Sequence, residues 1–201
     1  MKNLLLIAFM AGFTPALSQT ETETFVKDFD DRKNKLQHDG MVVLGSWASA
    51  NIIGSAIGYG LSTSNEEKEF YIMNGSWGLI NLGLALPALL TKPKPTASLY
   101  DLQRNQTKFE KIFLANAVLD VAYIAGGFYL KEYASNQSAL KDQERFNGFG
   151  NAIILQGAGL MAFDIAMTLL TTKNRRTHLD PFLKKTYFSF SGNSLRLGYR
   201  F

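Results

Sequence analysis

Four long apolar stretches, separated by charged segments, dominate the pattern of hydrophobic and polar positions. They cover about residues 41–62, 70–91, 112–130 and 148–172. Each stretch approaches or exceeds the roughly 20 apolar residues that a helix needs to cross a bilayer. The pattern therefore predicts an all-α membrane protein whose four transmembrane helices form two helical hairpins.

The segments before and after these stretches complete a four-part organisation. Residues 1–18 have a positive start, an apolar core and a small-residue cleavage site, which predicts a signal peptide; an uncleaved anchor is the alternative. Residues 19–40 are polar and predict a juxtamembrane helix, either on the membrane surface or solvated. Residues 41–172 are predicted to form the transmembrane bundle, and residues 173–201 a tail.

The end of the tail changes to a strand pattern. In residues 194–201, apolar and aromatic positions alternate with Ser, Arg and Gly, and the turn dipeptide Gly192-Asn193 precedes them. This predicts a short C-terminal β-hairpin. The aromatic end at Phe201 is similar to the last strand of outer-membrane barrels, but one hairpin cannot make a barrel. A hairpin that caps the bundle is the favoured interpretation.

Small residues and charged segments predict how the helices pack and connect. Ala50, Gly54 and Gly58 recur every four residues, a spacing typical of closely packed membrane helices. Residues 92–111 are predicted as a polar connection, and residues 131–147 as a charged loop.

Each of the last two stretches carries one acid, Asp120 or Asp164. An aspartate near the centre of a membrane helix costs at least ~2.5 kcal/mol, so both should face protein rather than lipid. Each lies roughly 12 Å from the same membrane face at the helical rise per residue. Because no Lys or Arg lies inside the stretches, we expect at least one acid to carry a proton and the two to titrate as a pair.

Asn51 and Asn81 lie at a similar depth, roughly 15 Å from the same membrane face, and Asn116, Tyr123 and Gln156 share a helix face with one of the acids. Together with the acids they predict one candidate polar intramembrane site, composed of Asn51, Asn81, Asn116, Asp120, Tyr123, Gln156 and Asp164. Two interpretations stay open. The residues either form interhelical hydrogen bonds that pack the bundle, or line a polar cavity for a proton, a cation or a small polar solute.

Composition narrows the function classes. The chain has no cysteine, which excludes disulfides and thiol chemistry, and its two histidines lie outside the stretches. Motifs for phosphate binding, zinc proteases and serine hydrolases are absent. We therefore predict no catalytic residue, no metal site and no cofactor, and an enzyme is the least favoured class.

The net charge of +4 comes from basic residues that flank the apolar stretches. Lipid headgroups explain basic residues at these positions, so the bilayer is the predicted partner and nucleic acid is not. A second copy of the chain, or another envelope protein, is a further candidate partner.

Three short motifs carry a resemblance to a known family. Over about residues 25–172 the chain is similar to a family of uncharacterised four-helix membrane proteins of Bacteroidota. The resemblance implies a bundle in the bacterial cell envelope and no established activity. The residues that carry it are Leu44–Ala48 with Asn51–Ile53, Met73-Asn74 with Trp77 and Asn81-Leu82, and Ile154–Gly157 with Asp164.

The orientation and the membrane stay open at this stage. Basic residues concentrate on the side that holds the mature N-terminus, and the positive-inside rule places that side in the cytoplasm. A cleaved signal peptide places the same side outside, so inner and outer membranes both remain candidates. The leading prediction is a structural or interaction protein of the envelope. The alternative is a small carrier or channel for protons, cations or a small polar solute.

Overall fold

The computed structural model describes the backbone of residues 2–191 and 194–199, and the side chains of residues 20–185. Four of its helices are long and apolar enough to cross a membrane. The predicted set of four membrane-length helices is confirmed. The chain runs through α1 (Lys2–Leu61), α2 (Asn65–Leu90), α3 (Leu99–Ser135), α4 (Leu140–Asn174), a π-helical segment (Arg175–Leu179), α5 (Asp180–Lys185), β1 (Thr186–Ser191) and β2 (Ser194–Tyr199).

The predicted connections at 92–111 and 131–147 are wrong in length. Helix α3 already begins at Leu99, and only residues 136–139 separate α3 from α4. Ser98 caps α3, because its Oγ accepts a hydrogen bond from the Asp101 backbone N–H at 3.1 Å. Charge keeps a residue out of lipid but not out of a helix, so the helices continue beyond the apolar stretches.

The predicted tail, residues 173–201, begins as helix. After Asn174 the backbone continues through the π-helical segment and α5 before the chain becomes extended. Strands β1 and β2 then pair antiparallel, with Phe188 opposite Leu197. The predicted turn at Gly192-Asn193 lies outside the described residues. The predicted signal peptide, residues 1–18, likewise lies outside the part of the chain whose side chains are described.

The chain divides into two compact units. The first unit comprises Met1–Lys35, Pro93–Phe109 and Leu170–Phe201, and the second unit comprises Leu36–Lys92 and Glu110–Leu169. Helices α1, α3 and α4 contribute residues to both units, whereas α2 belongs to the second alone.

A small apolar core and a buried acid hold the first unit together. The core consists of Val26, Phe29, Leu102 and Leu179. Asp30 follows the core residue Phe29 in sequence, and polar contacts converge on its buried carboxylate. These contacts link the connection after α2 to α1.

The Asp30 carboxylate is fully engaged. It accepts hydrogen bonds from Lys33 Nζ at 2.6 Å, Asn34 Nδ2 at 3.3 Å, and the Thr96 hydroxyl and backbone N–H at 2.7 and 3.1 Å. Burial by itself raises the pKa of this carboxyl, but the hydrogen bonds from Lys33 and Thr96 bring the pKa of Asp30 below its usual range. Asp30 is therefore held as an anion.

The second unit has an apolar outer surface. Large side chains such as Leu79, Val118 and Leu169 are each more than 60% exposed. Exposed apolar surface on this scale is unfavourable in water and favourable against lipid tails. The inner cluster of this unit is small, and it is formed by Leu44, Ala85 and Leu160 with Met41 and Phe163.

The predicted packing stripe of Ala50, Gly54 and Gly58 is wrong at its centre. A Cβ added at Gly54 would have nothing within 4 Å. A Cβ at Gly78 would lie 3.0 Å from the Ala48 carbonyl oxygen, and one at Gly127 would lie 2.8 Å from the Gly150 carbonyl oxygen. The spacing identifies a helix face, but does not say whether that face meets protein or lipid.

Candidate intramembrane polar site

Gln156 of α4 lies at the centre of a buried group of amides in the second unit. It is 1% exposed. Its Nε2 donates to Asn51 Oδ1 at 2.9 Å and to Asn74 Oδ1 at 2.6 Å. Its Oε1 accepts from Trp47 Nε1 at 3.2 Å and from Asn81 Nδ2 at 3.3 Å. We call these five residues, together with Ser55, the amide cluster; Gln156 joins α4 to both helices of the first hairpin.

The amides around Gln156 also bond to one another. Asn74 Nδ2 donates to Asn51 Oδ1 at 2.9 Å and to Ser55 Oγ at 3.0 Å. Asn51 Nδ2 donates to the Trp47 carbonyl oxygen at 2.7 Å. The amide nitrogen and oxygen of Asn51, Asn74 and Gln156 are thus all engaged, and the cluster is a closed seam between helices.

A second buried group joins α3 to α4. Asp120 and Asp164 are 3% and 4% exposed, and their carboxyl groups interact with each other. The Asn116 side chain hydrogen-bonds to Asp164. Within the described part of the chain, Asp120 Oδ2 and Asp164 Oδ1 are buried with no hydrogen-bond partner. We call Asp120 and Asp164 the acid pair.

The structure places six of the seven predicted site residues in two groups with no member in common. Asn51, Asn81 and Gln156 belong to the amide cluster. Asp120, Asp164 and Asn116 belong together at the acid pair.

Tyr123 belongs to neither group. It is 37% exposed, and its ring contacts Trp77 edge-on, with 5.0 Å between the ring centroids. A tyrosine one turn along from Asp120 therefore helps to pack α3 against α2 rather than line a cavity.

Trp47, Ser55 and Asn74 are the cluster members that the sequence-based site omitted. Asn74 precedes Asn81 by two helical turns, so an argument from equal depth leaves it out. Its helix face gives the better signal, because the buried positions Asn74, Gly78 and Asn81 recur at helical spacing along α2. Trp47 and Ser55 likewise flank Asn51 at four-residue intervals on α1.

The chemistry of the two groups differs from that of a metal centre. Among residues 20–185, no three His, Asp or Glu side chains cluster in a way that could hold a metal ion. The amide cluster offers hydrogen bonds that are already made, and the acid pair offers two carboxyl groups and one amide.

Residues 43–165 match the model of a family of unknown function (DUF6992). The matched range is more than half of the chain and contains the whole amide cluster and the acid pair. The predicted membership of an uncharacterised family is thereby confirmed. No curated protein and no solved structure matches the chain.

Proposed function

We infer the role of this chain, which belongs to the DUF6992 family of unknown function, from the bonding inside its second unit. We propose that it is a multi-pass membrane protein of the bacterial envelope with a structural or interaction role. Bacteroidota is the proposed origin. The observation that carries the proposal is the complete hydrogen bonding of Gln156.

A closed amide cluster favours packing over transport. A path for a solute needs polar groups that can exchange their partners for the solute. Here Asn51, Asn74 and Gln156 are each at least nine-tenths buried, and every amide atom is already bonded to protein. Interhelical hydrogen bonds in membranes contribute ~0.6 kcal/mol each on average. Several of them on one residue fix the arrangement of α1, α2 and α4.

The proposed partners follow from the surfaces. Apolar side chains on the second unit fit the lipid tails, and exposed basic residues such as Lys94 and Arg104 in the first unit fit anionic headgroups. A second copy of the chain or another envelope protein is the further partner that an interaction role requires.

Separation of inner and outer membranes, with N-terminal sequencing of the mature chain, tests the location. The proposal predicts recovery in a membrane fraction that resists alkaline washing, with a mature chain that starts after Ser18. Recovery in the soluble fraction would contradict a multi-pass protein. A mature chain that retains Met1 would support the uncleaved anchor instead.

Reconstitution of the purified chain into vesicles tests the role. A structural role predicts that the wild-type protein leaves proton and cation gradients intact, as protein-free vesicles do. Dissipation of a gradient by the wild type, but not by an equal amount of heat-denatured protein, would contradict it.

The second candidate function is a small carrier, and it rests on the acid pair. Two buried carboxyl oxygens without partners among the described residues are costly unless something else binds there. Ion-dependent flux in the vesicle experiment would favour this function over the structural one.

A further inference from the structure

Two carboxyl oxygens of the acid pair lack a hydrogen-bond donor. Ionised carboxylates only accept hydrogen bonds, so two of them cannot satisfy each other. Asp120 Oδ2 and Asp164 Oδ1 are both buried and without a donor among the described residues. A single proton supplies a donor, because a protonated carboxyl donates one hydrogen bond and its partner accepts it.

The surroundings offer no other charge that could compensate. Asp120 and Asp164 are the only Asp, Glu, Lys, Arg or His residues in the four apolar stretches. The neighbouring Thr168 hydroxyl donates to the backbone oxygen of Asp164 at 2.8 Å. On α3 the nearest titratable side chain in sequence is Tyr123, whose ring packs against Trp77 of α2.

We propose that Asp120 and Asp164 form a proton-binding site that shares one exchangeable proton between their carboxyl groups. The proton adds to a carboxylate oxygen of one residue and is donated to the facing carboxylate oxygen of the other. No redox step and no further reactant is involved. The proposal deepens the second candidate function and rests on it, because a carrier that uses this pair would have to exchange this proton.

A metal cation fits the same place poorly. Hard cations such as Ca²⁺ take six to eight oxygen ligands. The third side chain at the pair is Asn116, and it hydrogen-bonds to Asp164, for which it has to present its N–H group rather than its oxygen. A proton needs only the two carboxyl oxygens that lack partners.

Labelling with dicyclohexylcarbodiimide tests the proposal on the full-length protein in vesicles. This apolar reagent reacts with protonated carboxyl groups, since the proton moves to its nitrogen as the carboxyl oxygen bonds to its central carbon. We expect mass spectrometry to find one label per chain, on Asp120 or Asp164, with a yield that falls as the pH is raised. No label on either residue in mildly acidic buffer would overturn the proposal.

The variants D120N and D164N test whether the proton is shared. Interacting sites titrate as a pair, so removal of either acid should move the labelling midpoint of the other by at least about one pH unit. The double variant should not be labelled within the stretches. A midpoint that stays unchanged in both single variants would mean that the acids are independent, and would overturn the shared proton.

Two controls make the result specific. Asp30 is buried to the same degree but is held as an anion by Lys33 and Thr96, so it should stay unlabelled in the same sample. Addition of Na⁺, K⁺, Mg²⁺ or Ca²⁺ should leave the yield unchanged, and protection by any of them would assign the pair to a cation instead. Labelling does not depend on flux. A protein that is labelled but shows no flux would therefore support the proton-binding site and contradict only the carrier function.

Discussion

The amides of the amide cluster and the carboxyl groups of the acid pair are all buried, yet the two groups differ in the hydrogen bonds that they leave unmade. Gln156 and Asp120 are 1% and 3% exposed, and both lie in the second unit. An amide brings its own donor and acceptor, so the amides can satisfy one another. Carboxylates bring acceptors only, and the pair needs a proton from elsewhere. Burial alone therefore does not distinguish a packing role from a chemical role for a polar residue in a membrane helix. The count of its hydrogen-bond donors and acceptors does.

The substitution Gln156→Leu should have the largest effect. It removes four hydrogen bonds and takes away the Gln156 partner of Asn74 Oδ1 and of Asn81 Nδ2, both in buried residues. From ~0.6 kcal/mol per bond and the added cost of unsatisfied groups, we expect a loss of about 2–4 kcal/mol in the free energy of unfolding. Unfolding by sodium dodecyl sulfate in mixed micelles measures it.

Leu155→Ala is the matched control for that substitution. Leu155 is the preceding residue on α4, and its side chain is 41% exposed. Its truncation on a lipid-facing surface should change the free energy of unfolding by well under 1 kcal/mol. Equal losses in the two variants would mean that the amide cluster is not what holds the helices together.

Two adjacent glycines of α3 provide the next test. A Cβ at Gly127 would lie 2.6 Å from Ile154 Cγ1 and 2.8 Å from the Gly150 carbonyl oxygen, so Gly127→Ala should force the helices apart. Overpacking of this kind typically costs about 1–3 kcal/mol.

Gly126→Ala is the control, because a Cβ at Gly126 would meet nothing within 4 Å. Alanine favours a helix over glycine by about 0.5–1 kcal/mol, so this variant should be neutral or slightly more stable. Opposite signs for the two alanines in the same unfolding assay support the contact between α3 and α4. A loss at both positions would contradict it.

The third prediction concerns acid sensitivity of the first unit. Burial alone would raise the pKa of Asp30 in the folded protein, but the hydrogen bonds from Lys33 and Thr96 outweigh this effect and lower the pKa. Its contribution to stability is therefore present above the unfolded-state pKa of about 3.9 and is lost as the pH falls through the folded-state value. Wild type should approach Asp30→Asn in stability below about pH 4. A stability difference that stays constant with pH would contradict this.

The sequence predicted the helices better than their connections. Four apolar stretches were enough to predict four membrane-length helices, because a bilayer sets their length and hydropathy. The predicted connections at 92–111 and 131–147 are too long, because charged residues leave the lipid without ending a helix. Whether a charged segment continues a helix depends on caps such as Ser98 and on packing against residues distant in sequence.

The candidate site shows a similar limit. Depth and helix face, both readable from the sequence, selected Asn51, Gln156 and the two acids, all of which are buried. They could not say that the residues would form two groups, because that depends on how each helix is rotated about its axis. Nor could a spacing of four residues show that Gly54 faces away from its neighbours.

The smallest effect on stability is expected from Asp120→Asn, and this makes it the sharpest contrast with Gln156→Leu. The new amide keeps the size of the side chain and brings a donor for Asp164 Oδ1, which has none among the described residues. The free energy of unfolding should therefore change by less than about 1 kcal/mol or rise. The same variant in vesicles separates the two functions. A carrier that uses the acid pair predicts a folded variant that has lost ion-coupled uptake, whereas a structural role predicts no uptake in wild type or variant. A loss of stability as large as that of Gln156→Leu would mean that the acid pair, too, is a packing device. The difference between the two buried groups would then be one of residue type alone.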